Sequence, residues 1–220
     1  MLEKRNPTFD YIYDIENDQR VKTVSKIGKQ IILNYQNQLK NKPVKSVRKL
    51  YKKITIVDIS DSLYSDFLAY ISLLYFELEQ IKTFKTVNNR NRLNLEPGKR
   101  MRSTHFGLKC WNGEYSDCVS NEREPEIYEL LIELQQKCLP GFEWNQILVN
   151  KNQTFKPHKD GNNLKSKTLI FSIGDYEGDL HIEGWEVNTK IRPIIFDGKN
   201  VEHSVPEIKG NRYSVLYYMI

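Results

Sequence analysis

The sequence predicts an α+β domain in which helices from the first part brace one face of a β-sandwich or jelly-roll barrel built by the second part. Three observations predict it. Apolar residues at helical spacing stop at Pro140-Gly141. From Trp144 onward the chain breaks into short runs rich in Ile, Val, Phe and Tyr, punctuated by Gly, Asp and Asn. The length, 220 residues with 39% hydrophobic and 28% charged, fits one domain large enough to bury a core without disulfide or zinc staples.

Along the chain, the first twenty residues are polar with scattered aromatics and read as an arm. Residues 21–39 place Val24, Ile27, Ile31, Ile32 and Tyr35 at helical spacing. A basic run follows over 40–53, then a strand over 54–59. Asp61-Ser62 is expected to cap a long helix reaching Ile81, with Leu63, Phe67, Ile71, Leu74 and Leu78 on one side. Residues 87–100 read as a polar, Arg-bearing loop, 103–110 as a strand and 112–123 as a second irregular loop. Pro125 sits in a first helical turn, and the helix continues to Leu139. Six short strands are expected after it, over 145–150, 168–174, 178–183, 186–190, 193–197 and 212–220. No repeat or low-complexity linker divides the chain. The expectation is one domain over 1–220, with 1–100 a helical elaboration and 101–220 the catalytic core.

Charge and cysteines narrow the classes. A net charge of +5 permits an anionic partner but argues against a purely electrostatic nucleic-acid binder. No stretch approaches the roughly 18 apolar residues of a membrane span, and residues 1–10 lack a signal-peptide apolar run, so an intracellular, non-membrane protein is expected. Cys110, Cys118 and Cys138 have no metal-like spacing and are expected as free, buried small hydrophobes.

The chemistry-bearing residues lie in the β-rich part. In an extended segment, residues i and i+2 face the same side, so His158 and Asp160 could reach one cation together. His203 would complete two imidazoles and one carboxylate, the facial set of non-haem Fe(II) oxygenases, which leaves positions open for a bidentate cosubstrate and O2. Arg212 opens the last strand, where its guanidinium could clamp a carboxylate, and Ser214 faces the same way. That pairing suits 2-oxoglutarate, whose keto-acid end chelates iron.

The order His-x-Asp, further strands, a lone His, then Arg-x-Ser on the final strand resembles the 2-oxoglutarate- and Fe(II)-dependent dioxygenase superfamily. The stretch from Asn150 through Pro157-His158-Lys159-Asp160-Gly161 to Asn163 resembles its TET and J-binding-protein-like branch. So do Ser172-Ile173-Gly174-Asp175-Tyr176-Glu177-Gly178-Asp179-Leu180, Phe196-Asp197-Gly198, Gly210-Asn211-Arg212-Tyr213-Ser214 and Arg102-Ser103-Thr104-His105-Phe106-Gly107. The resemblance covers about residues 100 to 220. It implies a double-stranded β-helix (jelly-roll, cupin-like) fold, Fe(II), 2-oxoglutarate and O2 as cofactors, and release of succinate and CO2 as a C–H bond is oxidised. In that branch the bond is often the 5-methyl of thymine or 5-methylcytosine in DNA. It further implies His158, Asp160 and His203 as metal ligands, with Arg212, Ser214 and Asn150 toward the cosubstrate. Asn152 stands where AlkB-type relatives carry Tyr, and a second Arg of that pattern is absent, so AlkB-type demethylation is not implied.

For the substrate, Arg100, Arg102 and His181 are candidate contacts, and Trp111, Tyr115 and Trp185 are aromatics able to stack on a base. His105 and His181 also suit plain strand positions, and the run 40–53 suits either a solvated face or a phosphate track. A nucleic-acid substrate and a monomer are expected. The same metal set would serve a protein side-chain or small-molecule hydroxylase, whereas the intact ligand and arginine set argues against a non-catalytic binding module.

Overall fold

The structure is a computed structural model and describes residues 11–14, 19–22, 25–26, 29–30, 53–81, 84, 86–87, 94–95, 101–161 and 163–220. The chain divides into two compact units, Met1–Lys49 and Leu50–Ile220. In the first, β1 (Tyr11–Asp14) and β2 (Gln19–Lys22) pair antiparallel, with Tyr11 opposite Lys22. A hairpin therefore occupies part of the expected arm and the first positions of the expected helix. Most of that helix, and all of the basic run except Lys53, lie outside the described residues.

The second unit begins with β3 (Ile54–Ile56), α1 (Asp61–Gln80), β4 (Thr86–Val87), β5 (Met101–Trp111), β6 (Glu114–Asp117), α2 (Val119–Arg123) and α3 (Pro125–Cys138). Its second part is β7 (Gln146–Lys151), β8 (Phe155–His158), β9 (Lys167–Glu177), β10 (Leu180–Ile182), β11 (Trp185–Val187), β12 (Ile194–Asp197), β13 (His203–Val205) and β14 (Lys209–Tyr218). The larger sheet runs β3-β12-β9-β14-β7-β5-β4, with β6 paired to β5; the smaller runs β11-β10-β13-β8. From β7 onward the chain winds between the two sheets, placing β7, β9, β12 and β14 in the larger and β8, β10, β11 and β13 in the smaller. This winding is the expected double-stranded β-helix, present as two sheets rather than a closed barrel.

Period-2 alternation decides which side chains meet the helices. Phe171 and Ile173 of β9, Tyr213, Val215 and Tyr217 of β14, and Ile147 and Val149 of β7 pack against Phe67, Ile71, Leu74 and Leu78 of α1 and Leu131 and Leu134 of α3. Burying each such side chain contributes about 1.5–3 kcal/mol. Tyr213 and Tyr217 thus belong to this helix-side core.

Three local expectations need correction. The N-cap of α1 is Ser60, in extended backbone, with its hydroxyl 3.0 Å from Ser62 Oγ, rather than Asp61-Ser62. The stretch read as an irregular loop over 112–123 holds β6 and α2. Asn112 (φ 52°) and Gly113 (φ 83°) both take positive φ, the two-residue hairpin turn whose twist suits paired strands. Cys110 is exposed, whereas Cys118 and Cys138 are buried as expected. Among the described residues, no helix is long and apolar enough to cross a membrane.

Candidate functional site

His158 closes β8 and His203 opens β13, and antiparallel pairing sets them directly opposite each other. Their ring centroids are 4.3 Å apart. Asp160 leaves β8 by two residues, and its backbone N–H donates to the Gly198 carbonyl at 2.8 Å. Its carboxylate stands between the two imidazoles: Oδ1 lies 3.6 Å from His158 Nε2, and Oδ2 lies 3.6 Å from His203 Nε2. One donor atom from each residue falls within 4.8 Å of the others. Ligands on one cation with bonds of about 2.1 Å sit roughly 3–3.5 Å apart, close to these separations.

Tautomers follow from the carbonyls behind the rings. His158 Nδ1 lies 2.7 Å from the Lys156 carbonyl, and His203 Nδ1 lies 3.0 Å from the Val201 carbonyl. A carbonyl only accepts, so each Nδ1 carries a proton, and Nε2 is the ring nitrogen that each histidine turns toward Asp160. Burial pulls the His203 pKa down, but the hydrogen bond and charge of Asp160, with the Val201 carbonyl, outweigh it and leave the group above its ordinary value. Two imidazoles that present Nε2 to the same place as a carboxylate suit a divalent first-row transition ion, so the residues fit the implied iron.

The metal candidates line a cavity of about 1270 Å³ with residues of β5, β6, β7, α2 and β14. All three cosubstrate candidates meet there. Arg212 is buried; its Nη2 donates to Asp179 Oδ1 at 3.0 Å, and its guanidinium carbon lies 5.4 Å from the Tyr176 ring centre. Asp179 is fixed in turn by the backbone N–H groups of Leu180 (2.8 Å) and Thr189 (2.7 Å) and by the Thr189 hydroxyl (2.5 Å). Arg212 Nε has no partner. Ser214 lies opposite Asn150, and Asn150 Nδ2 donates to Ser214 Oγ at 3.2 Å. Asn150 is in turn opposite Ser103 on β5, so Ser103, Asn150 and Ser214 form a polar row across three strands.

Four buried side-chain atoms among the described residues lack a hydrogen-bond partner: Ser103 Oγ, Thr104 Oγ1, Asn150 Oδ1 and Arg212 Nε. All four residues line the cavity. Buried polar atoms are ordinarily satisfied, so this concentration fits a polar ligand within it, and the free guanidinium N–H fits a ligand with an anionic end.

The substrate candidates separate. Arg102 is exposed and alternates along β5 with Met101 and Ser103, which line the cavity while Arg102 does not. His181 alternates with Leu180 and Ile182, which are buried in the smaller sheet's core, and lies outside the cavity wall, as does Trp185. Arg100 lies outside the described residues. Trp111 (78% exposed) and Tyr115 (51%) do stand in the cavity wall, joined by Lys109 and Arg123. Asp179 and Ser103 stand in stretches that carry the sequence resemblance, but the sequence alone assigns neither a role at the site. Period-2 alternation along β5 marks Ser103 once the cavity face is known, but no local signal joins Asp179 to Arg212.

No family model and no curated protein matches the chain. Solved structures similar to it include NgTET1 in complex with 5mC DNA, at 12% identity over 76% of this chain and 72% of that one, TM-score 0.48. A 2OG-Fe(II) oxygenase family oxidoreductase from Burkholderia pseudomallei is similar at 13% over 74% and 92%, TM-score 0.44. A Trichoplax adhaerens prolyl hydroxylase in complex with a peptide fragment is similar at 14% over 89% and 94%, TM-score 0.42. At this level of likeness the site's chemistry must be read from its own residues.

Proposed function

We propose that the chain is an Fe(II)- and 2-oxoglutarate-dependent dioxygenase that oxidises a C–H bond, the 5-methyl group of thymine or 5-methylcytosine in nucleic acid. The observation that carries the reading is the His158–Asp160–His203 set, with both Nε2 atoms turned inward, in one cavity with Arg212. When bound, iron with 2-oxoglutarate and O2 supplies the oxidising power, and succinate and CO2 are the by-products. The chain's own residues hold and orient. His158, Asp160 and His203 would present three ligands from one side and leave the cavity side open. Arg212, held by Asp179, offers Nε–H to the far carboxylate of the cosubstrate, with Ser214 and Asn150 beside it. Trp111 and Tyr115, with Lys109 and Arg123 nearby, offer stacking faces and positive charge to a base and its phosphates.

A second reading has its own support. β6 is exposed throughout and pairs only with β5 among the described strands, so its other edge is open to an extended peptide. Protein side-chain hydroxylation would follow. The test begins with Fe(II) and 2-oxoglutarate added to the protein without oxygen, where a charge-transfer absorption band is expected. Oxygen is then admitted with DNA containing thymine and 5-methylcytosine, and nucleosides are analysed by mass spectrometry. Oxidised base with matching succinate is expected. A band with succinate formed on peptides and no oxidised base selects the second reading, and no band with no succinate overturns both.

A further inference from the structure

We propose that the turn over 197–201, together with Asn163 and Thr168, is a positioning device that sets the Asp160 carboxylate between the two histidines, and that Gly198 is glycine because a Cβ there would displace that carboxylate. The inference rests on the metal-site reading above.

Asp160 lies beyond the end of β8, so no strand ladder orients it. Its backbone is tied instead to the Gly198 carbonyl at 2.8 Å. The same turn supplies the Val201 carbonyl that orients His203 at 3.0 Å. One short segment thus positions ligands from two different strands. The turn has little freedom to yield. Val201 N–H donates to the Asp197 carbonyl at 2.9 Å, and Asn200 donates to the Asp197 carboxylate from its backbone at 3.0 Å and its side chain at 2.9 Å. Phe196, one residue before it, meets the His203 ring edge-on at 5.1 Å.

A Cβ added to Gly198 would stand 2.8 Å from Asp160 Oδ2 and 2.8 Å from Thr168 Oγ1. Both are closer than real Cβ contacts allow. Gly198 is not in the left-handed region, so backbone conformation does not demand glycine; the space beside the carboxylate does. Thr168 is fully buried in β9 opposite Phe196, which leaves it little room to withdraw. Asn163, also buried, completes the enclosure: its Nδ2 donates to Thr168 Oγ1 at 3.1 Å and reaches Asp160 Oδ2 at 3.5 Å. Oδ2 is the oxygen that faces His203. Hydrogen bonds behind a ligating carboxylate fix which lone pair it offers, and their loss typically weakens metal binding about 10–100-fold.

The test compares wild type, Gly198→Ala and Asn163→Ala in the metal-free full chain. Cobalt(II) is titrated and its visible absorption followed, and melting temperatures are recorded before metal is added. Wild type is expected to bind cobalt. Both variants are expected to bind it about 10–100-fold more weakly, with an altered absorption spectrum, at a temperature where each is still folded. A purely structural role would lower the melting temperature and leave cobalt affinity and spectrum unchanged, which overturns the proposal. If Gly198→Ala does not fold, Asn163→Ala, which introduces no clash, decides in the same way. Wild type that binds no cobalt removes the metal-site reading itself, a result distinct from variants that match a cobalt-binding wild type.

Discussion

The two faces of β14 belong to the same strand and share a two-residue period, yet they do opposite work. Tyr213, Val215 and Tyr217 enter the helix-side core, while Arg212, Ser214 and Leu216 line the cavity. On the helix side the Tyr217 hydroxyl donates to the Leu131 carbonyl at 2.8 Å, and the Tyr213 hydroxyl is shared between the Leu78 carbonyl and Glu79. On the cavity side Arg212 Nε stays unpartnered, and so does Asn150 Oδ1 on the neighbouring strand. A fold has no need of unsatisfied buried polar atoms. Where one face of a strand is fully satisfied and the other is not, the second face is shaped for something outside the chain.

The largest expected effect breaks the helix face alone. Phe171→Ala removes a ring that packs edge-on against Phe67 at 6.0 Å, and should cost about 3–5 kcal/mol in denaturant unfolding. Cobalt affinity measured below the lowered melting temperature should be unchanged; if it falls in parallel, the two faces are not separable. Arg212→Lys addresses the other face. It keeps a positive charge for Asp179 and loses the guanidinium fork, so the KM for 2-oxoglutarate should rise roughly 10–100-fold, as expected for one charged hydrogen bond. An unchanged KM would remove Arg212 from the cosubstrate end. The smallest effect sharpens the boundary. The Tyr213 hydrogen bond, against some opposing burial, holds the Glu79 carboxyl below its usual value. A depressed carboxyl stabilises the fold above its unfolded pKa, and that contribution is lost as pH falls through the folded pKa. Glu79→Gln should therefore cost under about 1 kcal/mol near neutral pH, since Glu79 is partly exposed, and the gap to wild type should close in acid. A gap that persists at low pH would show that the carboxylate charge is not the cause.

The sequence makes the larger strands and the site's residue types legible, and hides the elements that hold the metal candidates. β9 and β14 are long, alternate cleanly and were expected close to where they lie. β8 and β13 have four and three residues, too few for any period to register, and pairing between distant segments creates them. His158 and Asp160 were linked by i, i+2 spacing, but Asp160 is placed by Gly198 rather than by a strand. The role of Asp179 is hidden because its bond to Arg212 spans sequence with no local trace. Arg102 and His181 show the converse: residue type suggested a role, and alternation turned both away from the cavity.

The direct opposition of His203 and His158 has a consequence for how the smaller sheet comes apart. β8 and β13 share a short ladder whose register shifts between His203 and Val205, so few backbone bonds resist their separation. A seam held by so short a ladder is expected to open by local fluctuation before global unfolding. An ion gripped from both strands must leave before they part, which raises the free energy of that opening by roughly 2.7 kcal/mol at a hundred times Kd. Amide hydrogens of β8 and β13 would then exchange with solvent about a hundredfold more slowly, a record of occupancy written in the backbone rather than in turnover.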